Sequence, residues 1–187
     1  MTKIFIIHGA GGSPKSNWFP WLKERLEESG NEVYVPEFPI GNQQSLSNWL
    51  SVFDKYKKLL DPETIMIGHS LGPVFILNLL EKTEVSISAA FFVAPFVDYL
   101  GLPGFDEVNK SFIDHKFDWK KIKRMCKIFY VYASDNDPYV PLEKSKLIAD
   151  KLDAKFKLVP GAKHMNAEVG YTTFELLLED IKSALGK

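Results

Sequence analysis

The sequence predicts an α/β fold in which a mostly parallel sheet of about six strands is covered by helices on both faces. Short apolar runs alternate with helix-like segments almost throughout the chain, and several runs are continuously apolar, which is typical of strands buried on both faces. The chain has 187 residues, 45% of them hydrophobic, and no internal repeat divides it. We therefore expect a single domain over residues 1–187.

Six segments have the length and composition of strands, namely 3–8, 32–36, 64–68, 87–94, 127–134 and 155–160. The segments between and after them have the apolar spacing of helices, and they are 16–29, 45–60, 71–82, 142–152 and 167–185. Crossovers between parallel strands are right-handed, so these helices should lie on both faces of the sheet. Ligands of such sheets bind beyond the carboxyl ends of the strands.

Residues 96–125 interrupt this alternation with isolated aromatic residues and charges. Connections of this length are usually functional or mobile, so we interpret the segment as an insertion that forms a reduced cap or one wall of an acyl pocket. The apolar side chains available to line such a pocket are Phe96, Tyr99, Leu100, Phe105 and Phe112. Of the aromatic residues, Phe96 and Trp18 are our candidates for substrate contacts. The alternative is a surface helix with side chains anchored in the core.

The most informative motif is Gly68-His69-Ser70-Leu71-Gly72, which lies between a strand-like run and a helix-like run. In a G-x-S-x-G turn the serine lies where the strand turns sharply into the helix, and the glycines remove Cβ atoms that would collide there. The serine hydroxyl is then exposed at the edge of the sheet. The motif predicts Ser70 as a nucleophile.

A serine nucleophile needs an imidazole to accept its proton and a carboxylate to orient the imidazole. Asp137 and His164 each follow an apolar run, so both should lie at the same edge of the sheet as Ser70. The order serine, acid, histidine along the chain is that of α/β-hydrolases. Asp135 is a rival acid that could instead bond its own backbone turn, and placement at a strand end does not choose between the two aspartates.

The glycine-rich segment His8-Gly9-Ala10-Gly11-Gly12 directly follows the first predicted strand. Acyl transfer develops negative charge on the carbonyl oxygen, and backbone N–H groups stabilise that charge. We expect one donor to be the amide of Leu71 and the other that of Ala10, or alternatively that of Gly11. Gly9 and Gly11 should then border the substrate. The alternative is that the glycines form only a turn.

A competing interpretation comes from residues 9–16, which are one residue short of the phosphate-binding pattern G-x-x-x-x-G-K-[ST]. Pro14 stands where the pattern requires glycine, and it has no N–H group for a phosphate. Neither phosphate motif accounts for Ser70, Asp137 and His164, so nucleotide binding is the less favoured alternative. A binding or scaffolding protein that keeps a hydrolase fold with little activity is the other.

Five segments together resemble a known family over nearly the whole chain: His8-Gly9, Trp18-Phe19-Pro20-Trp21-Leu22, the motif at 68–72, Asp137-Pro138-Tyr139-Val140-Pro141 and Lys163-His164-Met165-Asn166. They resemble the small serine hydrolases related to retinoblastoma-binding protein nine and its Bacillus relative. The resemblance implies a three-layer α/β-hydrolase fold with a reduced cap and esterase-like activity on small esters. It also implies that Ser70 is the nucleophile, His164 the general base and acid, and Asp137 rather than Asp135 the orienting carboxylate.

The combined prediction is a serine hydrolase that acts on small or exposed acyl substrates through a Ser-His-Asp triad and an acyl-enzyme intermediate. Binding of the retinoblastoma protein is not implied, because no L-x-C-x-E motif surrounds Cys126. No cofactor is expected. No metal is expected either, because the histidines and scattered carboxylates lack the spacing of metal ligands.

The charge balance, the apolar runs and the single cysteine indicate which partners and which cellular location to expect. The 23 basic and 24 acidic residues nearly cancel and are interspersed, so we expect no interface with nucleic acid or with an anionic membrane. The expected partner is a small-molecule acyl substrate. No apolar run is long enough to span a bilayer, no signal peptide is recognisable before the first strand, and one cysteine permits no internal disulfide. We therefore expect a cytoplasmic protein.

Overall fold

The computed structural model describes residues 1–186 and contains a six-stranded sheet in which all neighbouring strands are parallel. The strands are β1 (Lys3–Ile7), β2 (Glu32–Tyr34), β3 (Ile65–His69), β4 (Ile87–Val93), β5 (Cys126–Ala133) and β6 (Lys155–Leu158). Their order across the sheet is β2-β1-β3-β4-β5-β6. The predicted parallel sheet is confirmed, and each observed strand lies within two residues of the predicted boundaries at either end.

The helices are α1 (Phe19–Glu28), α2 (Leu46–Phe53), α3 (Leu71–Lys82), α4 (Pro103–Ile113), α5 (Trp119–Arg124), α6 (Leu142–Leu152) and α7 (Glu175–Ala184). Short 3-10 helices cover Gly41–Gln43, Asp54–Leu59 and Ala167–Val169. Within the described residues, no helix is long and apolar enough to cross a bilayer.

Three predicted helices differ from the observed ones. The helix expected at 16–29 begins only at Phe19, because Asn17 has a φ of 53°, which is outside the helical region. The segment 45–60 divides into α2 and a 3-10 helix. The segment 167–185 is interrupted at Gly170, whose φ of 88° ends the 3-10 helix before α7 begins.

Side chains that alternate along β1 show how the two faces of the sheet are filled. Ile4 and Ile6 belong to one apolar cluster, which contains the buried sides of α1 and α7. Phe5 and Ile7 belong to the other, which contains the buried sides of α2, α3, α4, α5 and α6. Because successive side chains of a strand point to opposite faces, the apolar run of β1 produces a helix–sheet–helix sandwich of three layers.

The segment 96–125 forms α4 and α5, which contact the outer side of α3. Phe112 and Ile122 anchor them in the core. Asn78 of α3 donates from Nδ2 to the carbonyl of Phe112 over 3.0 Å. Residues 71–80 of α3 are buried on every side, because this helix lies between the sheet and the helices α2, α4 and α5.

The order of the strands determines where a ligand can bind. Helix α1, which follows β1, and helix α3, which follows β3, lie on opposite faces of the sheet. Since β1 and β3 are neighbours, their carboxyl ends border a crevice of the kind in which open α/β sheets bind ligands. The loop 8–12 follows β1 and Ser70 follows β3, so both border this crevice.

Candidate active site

Ser70 lies in a strained turn between the end of β3 and the start of α3. Its φ is 58° and its ψ is −105°, a combination that non-glycine residues rarely adopt and that costs about 1–3 kcal/mol. The turn is held by a hydrogen bond from the Ser70 amide to the carbonyl oxygen of Val93 at 2.9 Å. This backbone conformation is that of a nucleophile elbow.

The glycines of the motif are required sterically. A Cβ atom on Gly72 would lie 2.4 Å from the carbonyl oxygen of Ile7, and one on Gly68 would lie 2.5 Å from the backbone nitrogen of Pro73. A Cβ on Gly9 would lie 3.0 Å from the Cβ of Ser70 and 3.5 Å from its hydroxyl oxygen. Strand β1, helix α3 and the glycine loop therefore approach each other closely around Ser70.

His164 and Asp137 form a buried pair. The Nδ1 atom of His164 lies 2.8 Å from Oδ2 of Asp137, and their side chains are 10% and 2% exposed. The other carboxylate oxygen, Oδ1, accepts from the amides of Tyr139 and Val140 at 2.9 and 3.0 Å. Because an ionised carboxylate only accepts hydrogen bonds, Nδ1 carries the proton in neutral His164 and Nε2 is the basic nitrogen.

The neighbours of Asp137 hold the loop that carries His164. Asp135 accepts from the Gly161 amide at 2.8 Å, and Asn136 accepts from the Lys163 amide at 2.8 Å. Asp135 therefore bonds the loop after β6 rather than the backbone of its own turn, which was the alternative considered for it. These bonds stabilise a loop in which Lys163, next to His164, has a left-handed φ of 50°.

His69, the second residue of the elbow motif, contacts the same loop. Its Nε2 lies 2.9 Å from the carbonyl oxygen of His164, which identifies this nitrogen as the protonated donor. The two imidazole rings are 4.8 Å apart. Burial, and secondarily the charge that His164 acquires, lower the pKa of His69 to about 3. His69 is therefore neutral near pH 7 and holds the backbone of His164 without adding charge.

The residues before α1 also bond this loop. Asn17 accepts from the Ala167 amide at 3.0 Å, and its Nδ2 lies 3.5 Å from Nδ1 of His69. Trp18 donates from its indole nitrogen to the carbonyl oxygen of Met165 over 3.1 Å. The side chains of Asn17 and Trp18 thus also stabilise the backbone that follows His164.

Ser70 and His164 line the same two clefts. Within residues 1–186, the Ser70 hydroxyl makes no hydrogen bond to Nε2 of His164. Such hydrogen bonds are often long in free hydrolases and shorten when substrate binds. Proton transfer between them therefore requires the serine side chain or the imidazole to move.

The amides of Ala10 and Leu71 have no hydrogen-bond acceptor in the part of the chain that the structure describes. Leu71 begins α3, so its N–H group is one of the unpaired donors at a helix N-terminus. The Gly11 amide, in contrast, donates to Oε1 of Gln44 over 3.1 Å. The pair Ala10 and Leu71 is consequently available to an oxyanion, whereas the alternative donor Gly11 is already occupied.

The side chain of His8 stabilises the backbone of the glycine loop 8–12. The amide of Phe38 donates to Nε2 of His8 over 3.2 Å, so Nδ1 is protonated and donates to the carbonyl of Gly9 over 2.8 Å. Burial lowers the pKa of His8. A neutral imidazole of fixed tautomer therefore supports the loop that presents the Ala10 amide.

Two clefts meet at Ser70 and His164. The first, of about 240 Å³, has apolar walls formed by Leu100, Leu102 and Phe105 of the segment 96–125, and by Val140. The second, of about 220 Å³, is polar and is lined by the glycine loop, Ser16 and Asn17. We call them the apolar cleft and the polar cleft. The residues that line both are Ala10, Ser70, His164, Asn166 and Glu168.

The structure places only some of the predicted substrate-contact and lining residues at the clefts. Gly9 and Gly11 line the polar cleft, and Leu100 and Phe105 line the apolar cleft. Trp18 and Phe96 are wrong as substrate contacts, because both are fully buried in the two apolar clusters. Further lining residues that the sequence did not predict are Leu102, Tyr139, Val140, Asn166 and Glu168. Tyr139, Val140 and Asn166 nevertheless belong to segments that carry the family resemblance.

Other cavities and residue clusters lack this chemistry. An open groove of about 840 Å³ runs along Phe38, Ile40 and Asn48, and neither Ser70 nor His164 lines it. In residues 1–186, no group of three or more histidine, cysteine, aspartate or glutamate side chains is placed to hold a metal ion.

A parallel sheet with helices on both faces, in which the serine turn follows β3 at the switch in strand order, is the architecture of the α/β-hydrolases. This chain has that fold. The model of the family described as serine hydrolase matches residues 4–183, so the chain belongs to the serine hydrolase family. The family resemblance carried by the motifs is confirmed.

Individual relatives agree with this assignment. The chain is 32% identical over 190 residues to YdeN of Bacillus subtilis (strain 168), with 100% of this chain and 98% of YdeN covered. It is 29% identical to the serine hydrolase RBBP9 of Rattus norvegicus, with 98% and 96% covered. The crystal structure of the B. subtilis ydeN gene product matches with a TM-score of 0.94 and 30% identity over 100% of both chains.

A more distant structure extends the comparison of the fold. The methylesterase MES16 from Arabidopsis matches with a TM-score of 0.76, and the match covers 100% of this chain and 99% of MES16. Its sequence identity is 12%, so this likeness concerns the fold alone.

Proposed function

We propose that this serine hydrolase is esterase-like and cleaves small or exposed acyl substrates through Ser70, His164 and Asp137. The observation that carries the proposal is the buried 2.8 Å pair between Nδ1 of His164 and Asp137, beside a serine in a strained elbow. That pairing leaves Nε2 of His164 as the only ring nitrogen able to accept the proton of the serine.

In the acylation step, Nε2 of His164 removes the hydroxyl proton as Oγ of Ser70 attacks the acyl carbonyl carbon. The bond between Oγ and the acyl carbon forms, and the carbonyl electron pair moves to the oxygen. The imidazolium then donates its proton to the leaving group as the bond to the acyl carbon breaks. Asp137 stays ionised throughout and stabilises the imidazolium.

The negative charge of the tetrahedral intermediate needs fixed donors. We assign this role to the amides of Ala10 and Leu71, which have no acceptor among the described residues. Leu71 is the first residue of a helix of 12 residues, so the partial positive charge of the helix N-terminus adds to its effect. Loss of one such donor typically reduces kcat by about 100- to 1,000-fold.

In the second half of the reaction, water replaces the leaving group. His164 accepts a proton from the water molecule while the water oxygen attacks the carbonyl carbon of the acyl-enzyme. His164 then returns the proton to Oγ of Ser70 as the acid product departs. The reaction needs no cofactor. The acyl chain would lie in the apolar cleft, for which the segment 96–125 acts as a small cap of one α/β-hydrolase domain.

The test is the hydrolysis of p-nitrophenyl acetate by the wild type and by the Ser70→Ala variant. Removal of a triad serine typically lowers kcat by about a million-fold, so turnover by the variant should be undetectable. Ser183 is an exposed serine on α7. The variant Ser183→Ala is therefore the matched control and should retain wild-type activity. Wild-type activity in a folded Ser70→Ala variant would contradict the proposal.

A further inference from the structure

Glu168 places a carboxylate at the junction of the two clefts. It lines both of them, together with Ser70 and His164. Among the described residues it forms no ion pair, and no lysine or arginine lines either cleft. The other carboxylate near the serine, that of Asp137, is buried and paired with His164. Glu168 therefore contributes an uncompensated negative charge to the place where substrate binds.

Asn166 contacts Glu168 at the same junction. Its Nδ2 donates to Oε2 of Glu168 over 3.3 Å. Because a carboxylate only accepts hydrogen bonds, the amide must turn its NH₂ group toward Glu168. Oδ1 of Asn166 is then enclosed without a hydrogen-bond partner among the described residues. Buried acceptors of this kind are costly unless a ligand or a water satisfies them.

The two clefts differ in the groups that they can accommodate. Leu100, Leu102 and Phe105 give the apolar cleft a surface on which an aliphatic or aromatic acyl chain is favoured. The polar cleft has backbone groups, Ser16 and Asn17 instead. With the acyl chain in the apolar cleft, as proposed above, the alcohol or thiol of the substrate would occupy the polar cleft, which Glu168 also lines.

We propose that Glu168 makes this site selective for esters and thioesters whose leaving group carries a positive charge, an inference that rests on the proposed function. The reaction itself is unchanged: the acyl group passes to Oγ of Ser70, and the proton of Ser70 passes through His164 to the departing oxygen or sulfur. Glu168 attracts the cation of the leaving group, and the hydrogen bond from Asn166 holds the carboxylate at the junction. Glu168 is therefore a specificity-determining residue.

The size of the effect follows from the exposure of Glu168. Its side chain is solvent-exposed, so water weakens the attraction. Exposed pairs of opposite charge usually change an equilibrium up to about fivefold. We therefore expect a preference of about two- to fivefold in kcat/KM for a cationic over a neutral leaving group of the same shape. Salt screens exposed charges, so the preference should shrink as ionic strength increases.

Three thioesters with a common acetyl group test the inference. They are acetylthiocholine, the neutral S-(3,3-dimethylbutyl) thioacetate and the anionic S-(2-sulfonatoethyl) thioacetate, and thiol release is followed with a chromogenic disulfide. All three form the same acetyl-enzyme, so differences in kcat/KM come from binding and acylation alone. The variants are Glu168→Gln and Glu179→Gln, the latter removing an exposed carboxylate of α7 that lines neither cleft.

The wild type and Glu179→Gln should both prefer the cationic over the neutral thioester by about two- to fivefold, and the anionic one should be the poorest substrate. Glu168→Gln should bring the three kcat/KM values closer together, and 0.5 M sodium chloride should do the same to the wild type. Ser70-dependent turnover with equal ratios in wild type and Glu168→Gln would overturn this inference alone. Absence of Ser70-dependent turnover with all three would overturn the proposed function and this inference with it.

Discussion

Replacement of His69 by glutamine is expected to make folding less sensitive to acid. His69 is buried between the elbow and the His164 loop, and its ring nitrogens face the carbonyl of His164 and the amide of Asn17. Burial lowers the pKa of His69 most, and the charge of His164 lowers it further, whereas the hydrogen bond to the His164 carbonyl and then the charge of Asp137 raise it. Glutamine retains an N–H donor for the carbonyl but does not titrate.

The magnitude follows from linkage between protonation and folding. The pKa of His69 is about 3 in the folded protein, against about 6.5 for an unperturbed histidine. Between these values the unfolded chain binds a proton that the native state does not, so stability is full above pH 6.5 and falls as the pH decreases toward 3. Between pH 7 and pH 5 this single group should reduce the free energy of unfolding by about 2 kcal/mol.

Urea unfolding at pH 7 and pH 5, at constant ionic strength, measures this contribution. Wild type and His69→Gln are compared by the difference in free energy of unfolding between the two pH values, so any fixed cost of the substitution cancels. The wild-type difference should exceed that of the variant by about 2 kcal/mol. Equal differences would refute the conclusion that His69 is held neutral by burial.

Three further outcomes are expected. Gly72→Ala places a Cβ atom 2.4 Å from a backbone oxygen of β1 and should lower thermal stability severely, whereas Gly104→Ala, with no heavy atom within 4 Å in α4, should raise stability by about 0.5–1 kcal/mol. Asp137→Asn should reduce kcat for p-nitrophenyl acetate by about 10,000-fold, and Asp135→Asn much less, since Asp135 bonds only the loop. Burial raises the pKa of the Cys126 thiol to about 12, so it should react with a chromogenic disulfide only after unfolding.

Much of this architecture could be predicted because it depends on local patterns. Continuous apolar runs identified the strands, since strands buried on both faces need no polar side. The position of Ser70 followed from the glycines of its motif, whose absent Cβ atoms are a direct steric requirement of the turn. Asp137 and His164 follow strands whose carboxyl ends share one edge of the sheet.

Features that depend on long-range packing could not be predicted in the same way. Trp18 is an aromatic residue of a type that often lines pockets. Its indole N–H instead donates to the carbonyl of Met165, 147 positions away in the chain. The bond from Asp135 to Gly161 likewise joins two loops that only the pairing of β5 and β6 brings together. Glu168 belongs to no recognisable sequence motif. Its position at the junction of the clefts depends on the path of the loop after His164.

Covalent labelling tests the central claim, that Ser70 is an activated nucleophile, most directly. The folded wild type is incubated with a fluorophosphonate, and the modified peptide is located by mass spectrometry. The account predicts one adduct per chain, on Ser70, which is absent in Ser70→Ala and forms far more slowly in His164→Gln. An adduct on another residue, or no adduct on the folded wild type, would contradict the account.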